Sequence, residues 1–475
     1  IVNRVEPAPH PTDASAAIRC GTYGNCAGGQ TPWGTYLSAE ENFHVLFTAT
    51  DANAAPLREA MRDPAFVLDC ANFGTPMAFG MGALGPPQFD MSANPYGPAL
   101  YGWTLEVDPY DPAWTPRKRT ALGRRKGECA TTALARNGRV VVYSGDDQID
   151  EFVYKFVSNG RFNPNDRLSN RDLLDDGQLY VAQFHANGAG AWLPLTLEAA
   201  NAAARRAGYS AHFRDLGDLM MRAREAARLL GATPMDRPED VEAMLDDGWV
   251  GQGPVLIVCT NSSQQGFARP GNPRRDSETP QRAQSNLAGH ILRLDEHGGD
   301  CAATRFTWDV FALAGDPAAQ EFTAATRSGR PAHVSTRLNG AATFSGDRFA
   351  CPDNICIDRA HNVWIATDGS DGVFADCNDA VLATSAASQG PRPVKRFLVG
   401  PVGAEICGPT LAPDERAFFA SIQHPGESDV AGTPIAELRW GRGQRPPSSF
   451  PGGGEAWPRS AVIVITRHDG GRIGA

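Results

Sequence analysis

The sequence predicts an all-β fold, one β-propeller spanning residues 1–475, and three observations predict it. Short strand-like runs follow one another along the chain, and a two-strand plan that opens on an acid recurs four times. The 50 Gly and 36 Pro are spread between the runs rather than clustered, which fits many short strands joined by tight turns better than long helices. A chain of 475 residues exceeds the usual domain size, but propellers routinely do so as one unit.

The strand-like runs are GRVVVYSGDD (138–147), EFVYKFVS (151–158), GQLYVAQF (177–184), GPVLIVCTN (253–261), GHILRLDE (289–296), RFTWDVFALAG (305–315), NVWIATDG (362–369), RAFFASIQ (416–423) and AVIVITR (461–467). Each is β-branched or aromatic and bounded by Gly, Asp or Asn. Residues 195–231 break the pattern. They are rich in Ala, Leu and Arg with apolar positions three and four apart, which predicts a helical insertion on the β scaffold. Residues 441–460 read as a Pro/Gly-rich loop before the last strand.

The repeat points the acids. Segments 128–147, 238–261, 352–369 and 404–426 share an acid, a hydrophobic strand, a turn, a second strand and a polar cluster. The innermost strand of each propeller blade lines the central channel, so Glu128, Glu239, Asp353 and Glu405 converge on one axis. The segment TPWGTYLSAEEN (31–42) offers Glu40 and Glu41 in the same style.

Carboxylates gathered at one axis repel, and persist only if protons or cations neutralise them. Hard oxygen donors in number suit calcium, and a thiolate beside them suits a transition metal. Glu128 and Cys129 are adjacent, and neighbours on a strand face opposite ways, so one of the two is the ligand. The other reading of Cys129 is a buried small hydrophobe or disulfide partner. Asp146, Asp147 and Asp368 lie in GDD and TDG turns, where Asp ordinarily stabilises the turn itself. His424, before Pro-Gly, reads equally as a ligand or base and as a turn residue.

The net charge of −10 argues against a nucleic-acid backbone binder and suits cation binding. No run approaches the ~18 apolar residues of a membrane span. Beginning at Ile1 without Met, the chain reads as a processed product, which fits export. Ten cysteines without a CxxC predict disulfides in an oxidising compartment, with Cys20–Cys26 and Cys351–Cys356 as candidate bridges.

Longer strings then narrow the reading. TPWGTYLSAEEN, VVYSGDDQIDEFVYKFVS, LLDDGQLYVAQF, GATPMDRPEDVE, PDNICIDRAHNVWIATDG, VGPVGAEICGPTLAPDERAFFASIQHPGE and the closing AVIVITR resemble, in the same order, those of PhoX-type alkaline phosphatases, from about residue 28 onward. The resemblance implies a six-bladed propeller that holds calcium and iron and hydrolyses phosphate monoesters. It also implies a periplasmic or extracellular protein exported by the twin-arginine route. Carried over onto this chain, it implies Glu40, Glu41, Cys129, Glu239, Asp353 and Glu405 as metal ligands, Cys129 as the thiolate to iron. Arg293 and Asp295, on one face of a strand, and Asn286 upstream become the candidates for phosphoryl contact. Three features depart from the family pattern: Asn354-Ile355-Cys356 follows Pro-Asp, Gly127 stands in RRKGECATT where a relative would carry a polar side chain, and Cys351, Cys356, Cys377 and Cys407 flank the ligand segments, where disulfides would stiffen the channel or a repurposed site would have lost its metals.

Two other functions share the plan. A calcium-dependent lactonase-like propeller would polarise an ester carbonyl instead, and a non-catalytic exported propeller would serve as a structural or binding subunit. Lactone and phosphate-ester assays separate the first, and metal content the second.

Overall fold

The computed structural model describes residues 3–4, 21–63, 66–67, 72–73, 87–210, 212–246, 249–260, 270–272, 286–324, 332–374, 376–386, 391–427 and 446–474. Its strands fall into antiparallel meanders, each of which runs outward from a central channel as a propeller blade does. The first joins β1 (Asn25–Gln30), β2 (Tyr36–Glu40), β3 (Thr104–Val107) and β4 (Arg117–Lys118). The second runs β5 (Thr131–Leu134), β6 (Arg139–Ser144), β7 (Tyr154–Arg161), β8 (Gly177–Phe184) and β9 (Ala189–Pro194). The third follows after the helices.

Those helices are α1 (Leu197–Arg206), α2 (Leu216–Met221) and α3 (Ala223–Leu230), inside the predicted insertion. The boundaries have local causes. Thr196 caps α1 by accepting the Ala199 N–H, Asp215 caps α2 by accepting the Asp218 N–H, and Gly231 ends α3 in the left-handed region at φ +84°. The small faces of α1 and α3, Ala200, Ala223, Ala226 and Ala227, are buried against the second blade.

The third blade runs β10 (Pro238–Leu245), β11 (Gly251–Cys259), β12 (His290–Glu296) and β13 (Arg305–Leu313), and β13 pairs with β9, so the two blades form one nine-stranded sheet. The fourth runs β14 (Pro352–Ile357), β15 (Asn362–Thr367), β16 (Ala380–Ser385) and β17 (Arg392–Val399). The fifth runs β18 (Glu405–Leu411), β19 (Ala417–Gln423) and β20 (Ala461–Thr466). Five blades lie among the described residues, and the expected all-β propeller with a helical insertion is the observed architecture.

The core sits between blades. Val141, Tyr143, Val241 and Ile257 pack where the second meets the third, Val258, Phe311, Ile355 and Ile365 where the third meets the fourth, and Trp364, Ile406 and Phe418 where the fourth meets the fifth. β10 and β14 therefore have a packed inter-blade core on either side. The innermost strands β1, β5, β10, β14 and β18 touch in that order and bring their starts to one end of the channel.

The disulfide expectation is corrected here. Cys26, Cys129, Cys301, Cys356, Cys377 and Cys407 are thiols. A Cys351–Cys356 bridge is excluded by β14 between them: from Pro352 to Cys356 four steps of extended chain span roughly 13 Å at about 3.3 Å each, and Cys351, one residue before Pro352, stays beyond disulfide reach. Cys20 and Cys70 lie outside the described residues, as do residues 441–445 of the Pro/Gly-rich loop, whose remainder contains turns and no strand.

Candidate metal centre

Equivalent positions in different blades supply the acids. Glu41 directly follows β2, Glu128 precedes β5, Glu239 and Asp353 are the second residues of β10 and β14, and Glu405 opens β18. The side chains converge in two groups: one carboxylate oxygen each of Glu128, Glu239 and Asp353, all three buried, lie within 4.8 Å of one another, and so do Cys26 Sγ and oxygens of Glu41 and Glu128. Glu128 belongs to both.

Polar neighbours fix these acids. Cys26 Sγ donates to Glu128 Oε1 at 3.1 Å, and Asn354 Nδ2 donates to Glu128 Oε1 and Asp353 Oδ1, each at 3.3 Å. The Asn354 side chain is held in turn by the Gly408 N–H at 2.9 Å. Arg237 projects into the ring. Its Nε and Nη2 donate to the two oxygens of Asp147 at 2.7 and 2.9 Å, and Nη2 lies 2.9 Å from Glu239 Oε1. At the rim, Gln423 Nε2 donates to Glu405 Oε2 at 2.5 Å, while His424, 41% exposed, sits 3.3 Å from Glu405 and 2.7 Å from Glu427. Arg237 and His424 both hold positive φ, +49° and +35°, a strain of about 1–3 kcal/mol that native structures concentrate at functional sites.

Gly145 allows this approach. A Cβ there would strike the carbonyl oxygens of Glu239 at 2.0 Å and Pro238 at 2.4 Å, so only glycine lets the Asp146–Asp147 turn press against β10.

The electrostatics follow from burial. Burial first, then the charge of Asp147, pushes Glu128 up to about 8. Glu239 is raised by burial and Asp147, Asp353 by burial and Glu128, and Glu41 by burial and Glu128. Asp368 is pushed up to about 8 by burial and Glu405. Asp147 goes the other way. Burial would raise it, but Arg237 and the hydrogen bonds from Arg237, Glu41 and Glu239 hold it below the usual range. His424 is pushed up to about 11, since its hydrogen bonds to Glu405 and Glu427 outweigh burial.

Such a ring fits cations. The donors are hard oxygens with one thiol at the edge, and Glu239 Oε1 is buried without an aligned hydrogen-bond donor despite its nearness to Arg237.

Several sequence expectations take other places. Glu40 points away from the channel into a buried ion pair with Lys118, whose Nζ lies 2.7 Å from Oε1 and 3.0 Å from Oε2, and it also accepts the Trp103 N–H at 3.1 Å. Cys129 turns into the inter-blade core, where Sγ accepts the Val241 N–H at 3.2 Å, so of the adjacent pair it is Glu128 that faces the channel. Arg293 and Asp295 form a surface ion pair at 2.9 Å on β12, the third strand out from the channel, about 10 Å from the innermost one at about 4.8 Å per strand, and Asn286 donates to His290 Nδ1 at 2.8 Å. Among the described contacts none joins these three to the ring.

Sequence reasoning gave Asp147 and Asp368 to turns and Cys26 to a disulfide, gave Asn354 no role in the ring, and did not single out Arg237. Arg237 carried only a weak signal, its closeness in sequence to Glu239, because it stands just ahead of β10 at positive φ, where strand alternation does not fix its direction. Cys26 carried none, because only the pairing of β1 with β2 brings it beside Glu41.

Lys118→Met strands the Glu40 carboxylate, both partners being 0% exposed, and should cost about 3–5 kcal/mol in urea unfolding while leaving metal content unchanged.

Comparison with known proteins agrees with this geometry. The family profile of alkaline phosphatase PhoX matches residues 9–426. A solved structure of Pseudomonas fluorescens PhoX, in complex with vanadate, a transition state analogue, is 34% identical, with a TM-score of 0.75 over 96% of this chain and 71% of that one. A luciferin-regenerating enzyme aligns with a TM-score of only 0.19 at 10% identity, over 66% of this chain and 89% of that one, and carries no argument. No curated protein sequence matches. With the family profile covering most of its length, the chain belongs to the PhoX family of alkaline phosphatases.

Proposed function

We propose that this chain hydrolyses phosphate monoesters in the carboxylate ring of its channel, using calcium and iron held there, and that it acts as one propeller domain. The observation that carries the reading is the convergence of Glu128, Glu239 and Asp353, from three blades, within 4.8 Å. Like charges so close persist only when protons or cations neutralise them, which makes the ring a ready cation site, and vanadate in the Pseudomonas fluorescens relative supports phosphoryl chemistry. Glu41, Glu128, Glu239, Asp353 and Glu405 would hold the ions, with Cys26 in place of Cys129 as the thiol ligand; oxygen donors favour calcium and the thiol favours iron. Bound there, the ions supply charge neutralisation on the phosphoryl oxygens and a lowered pKa for an oxygen nucleophile.

The chain's own residues orient the substrate. Arg237, 26% exposed and with its guanidinium within the ring, turns its Nε–Nη2 edge to Asp147 and would meet phosphoryl oxygens through its remaining Nη1, a role the sequence alone gave to Arg293. Asp147 holds that edge at 2.7 and 2.9 Å and keeps the guanidinium aimed. Asn354 locks Glu128 to Asp353, so the oxygens stay in place when ions enter. The substrate class is small phosphate esters. The location that fits the family is the periplasm or the exterior, reached by the twin-arginine route.

Elemental analysis of protein purified without added metal, with hydrolysis of nitrophenyl phosphate before and after chelation, tests this. Calcium, iron and chelator-sensitive turnover are expected; neither metal and no turnover would overturn it. The thiol assignment has its own test: Cys26→Ser should lower the iron content at least twofold, and Cys129→Ser should leave it at the parent level.

A further inference from the structure

The helical insertion reaches the ring from outside. Asp146, the neighbour of Asp147, is fully buried. Its carboxylate takes a two-pronged ion pair from Arg224 in the first turn of α3: Nε donates to Oδ2 at 2.7 Å and Nη2 to Oδ1. The third nitrogen of the same guanidinium, Nη1, donates to Gln148 Oε1 at 3.1 Å, so one side chain holds both flanks of Asp147.

The turn gripped in this way is tied to the segment that carries Glu128. Asp146 Oδ1 also accepts the Lys126 N–H at 3.2 Å, the Asp147 N–H donates to the Lys126 carbonyl at 2.9 Å, and Gly127 bridges Asp146 as an isolated antiparallel pair. Consecutive aspartates are thus held by arginines from opposite sides, Asp147 by Arg237 within the channel and Asp146 by Arg224 from α3. The inner fork sits among the groups that meet ions and substrate. The outer fork does not.

We infer that Arg224 is a positioning residue, a latch through which the helical insertion fixes the Gly145–Gln148 turn and with it the placement of Asp147 and Glu128; this rests on the reading of the ring as the metal-holding site. An insertion that only decorated the blade would need no buried charge on that turn. A buried carboxylate deprived of its cation must find another partner or move.

The test compares the full chain with Arg224→Met, Arg224→Lys, Arg293→Met as a remote control and Glu239→Gln as a ring control. Amide hydrogen exchange of residues 145–148 in chelated protein, the rate of metal loss to a chelator, and kcat and KM for nitrophenyl phosphate are measured. Arg224→Met should raise exchange in the turn, lose metal at least tenfold faster and lower kcat at least tenfold with KM within threefold. Arg224→Lys should recover part of each change, and Arg293→Met should match the parent. Parent-like exchange, metal loss and kcat in Arg224→Met, even with a lowered Tm, would overturn the latch. Should the methionine variant fail to fold, Arg224→Lys decides, because it keeps the charge and gives up the fork: parent values in all three readouts overturn the inference. Glu239→Gln separates the two readings. If it keeps its metal and turnover the ring itself is wrong, whereas if it loses both and Arg224→Met loses neither, only the latch fails.

Discussion

Glu128→Gln should reduce kcat/KM for phosphate-ester hydrolysis by at least about 100-fold and lower the metal bound per chain, because this residue is the acid common to both ligand groups. Changes in the outer shell of metal sites already cost about 10–100-fold, and removing a shared charged donor should exceed them. Its amide counterpart is nearly the same size and offers the same oxygen to Cys26 and Asn354, so packing around it changes little. The folded chelated protein should lose no stability, since a neutral group replaces a carboxyl that burial and Asp147 already push up to about 8. Loss of turnover together with loss of metal, at unchanged Tm of the chelated protein, is the expected pattern. Turnover within threefold of the parent would remove Glu128 from the site.

Chelation should reverse the pH dependence of stability. In the metal-free fold Glu128 and Asp368 are each pushed up to about 8, and Glu41, Glu239 and Asp353 are raised as well, all by burial first. Unfolded carboxyls titrate near 4. Between about pH 4.5 and 8 the folded state therefore binds more protons than the unfolded one, and stability falls as pH rises through that window. Each titrating carboxyl contributes on the order of 1.4 kcal/mol per pH unit. His424, raised to about 11, acts in the same direction over a higher range, with stability present below its unfolded value near 6.5 and lost as pH climbs toward 11. Asp147 opposes, but its lowered pKa places its effect below pH 4. With metal bound the sign inverts, because ligands must lose their protons to bind. Thermal unfolding from pH 5 to 8 should give a falling Tm for chelated protein and a rising one for loaded protein. A flat or rising chelated curve would show that these carboxyls are not buried together.

The sequence made most of the fold legible because its signals are local. The strands β6, β8, β15, β19 and β20 fall within the runs marked by β-branched residues and bounded by Gly and Asp. The insertion was legible from its Ala spacing, and Thr196, Asp215 and Gly231 mark its ends. Glu128, Glu239, Asp353 and Glu405 were legible as ring candidates because each stands at the opening of a repeat unit, and repetition turns four weak signals into one.

Other positions depend on which way a strand faces. Glu40 and Glu41 are neighbours, and the end of β2 parts them: Glu40, the last strand residue, goes to Lys118, and Glu41, which turns out of the strand, goes to Cys26 and Glu128. Glu128 and Cys129 also divide, with the channel taking the acid and the core taking the thiol. Alternation says that neighbours part; it does not say which of them faces the axis. Arg293 and Asp295 share a face as expected, yet β12 lies third from the channel, and blade order is set by long-range pairing.

By itself, then, the sequence determined the all-β propeller, the helical insertion and the acids at blade openings, since propensity, turn chemistry and internal repetition are all written within a few residues. Only the tertiary structure decided that Glu128 rather than Cys129 lines the channel, that Cys26, Asp147, Arg237 and Asn354 complete the ring, and that Arg224 holds it from the insertion. These placements come from contacts between segments far apart in the chain, where burial and charge pairing choose among side chains that local pattern leaves equivalent.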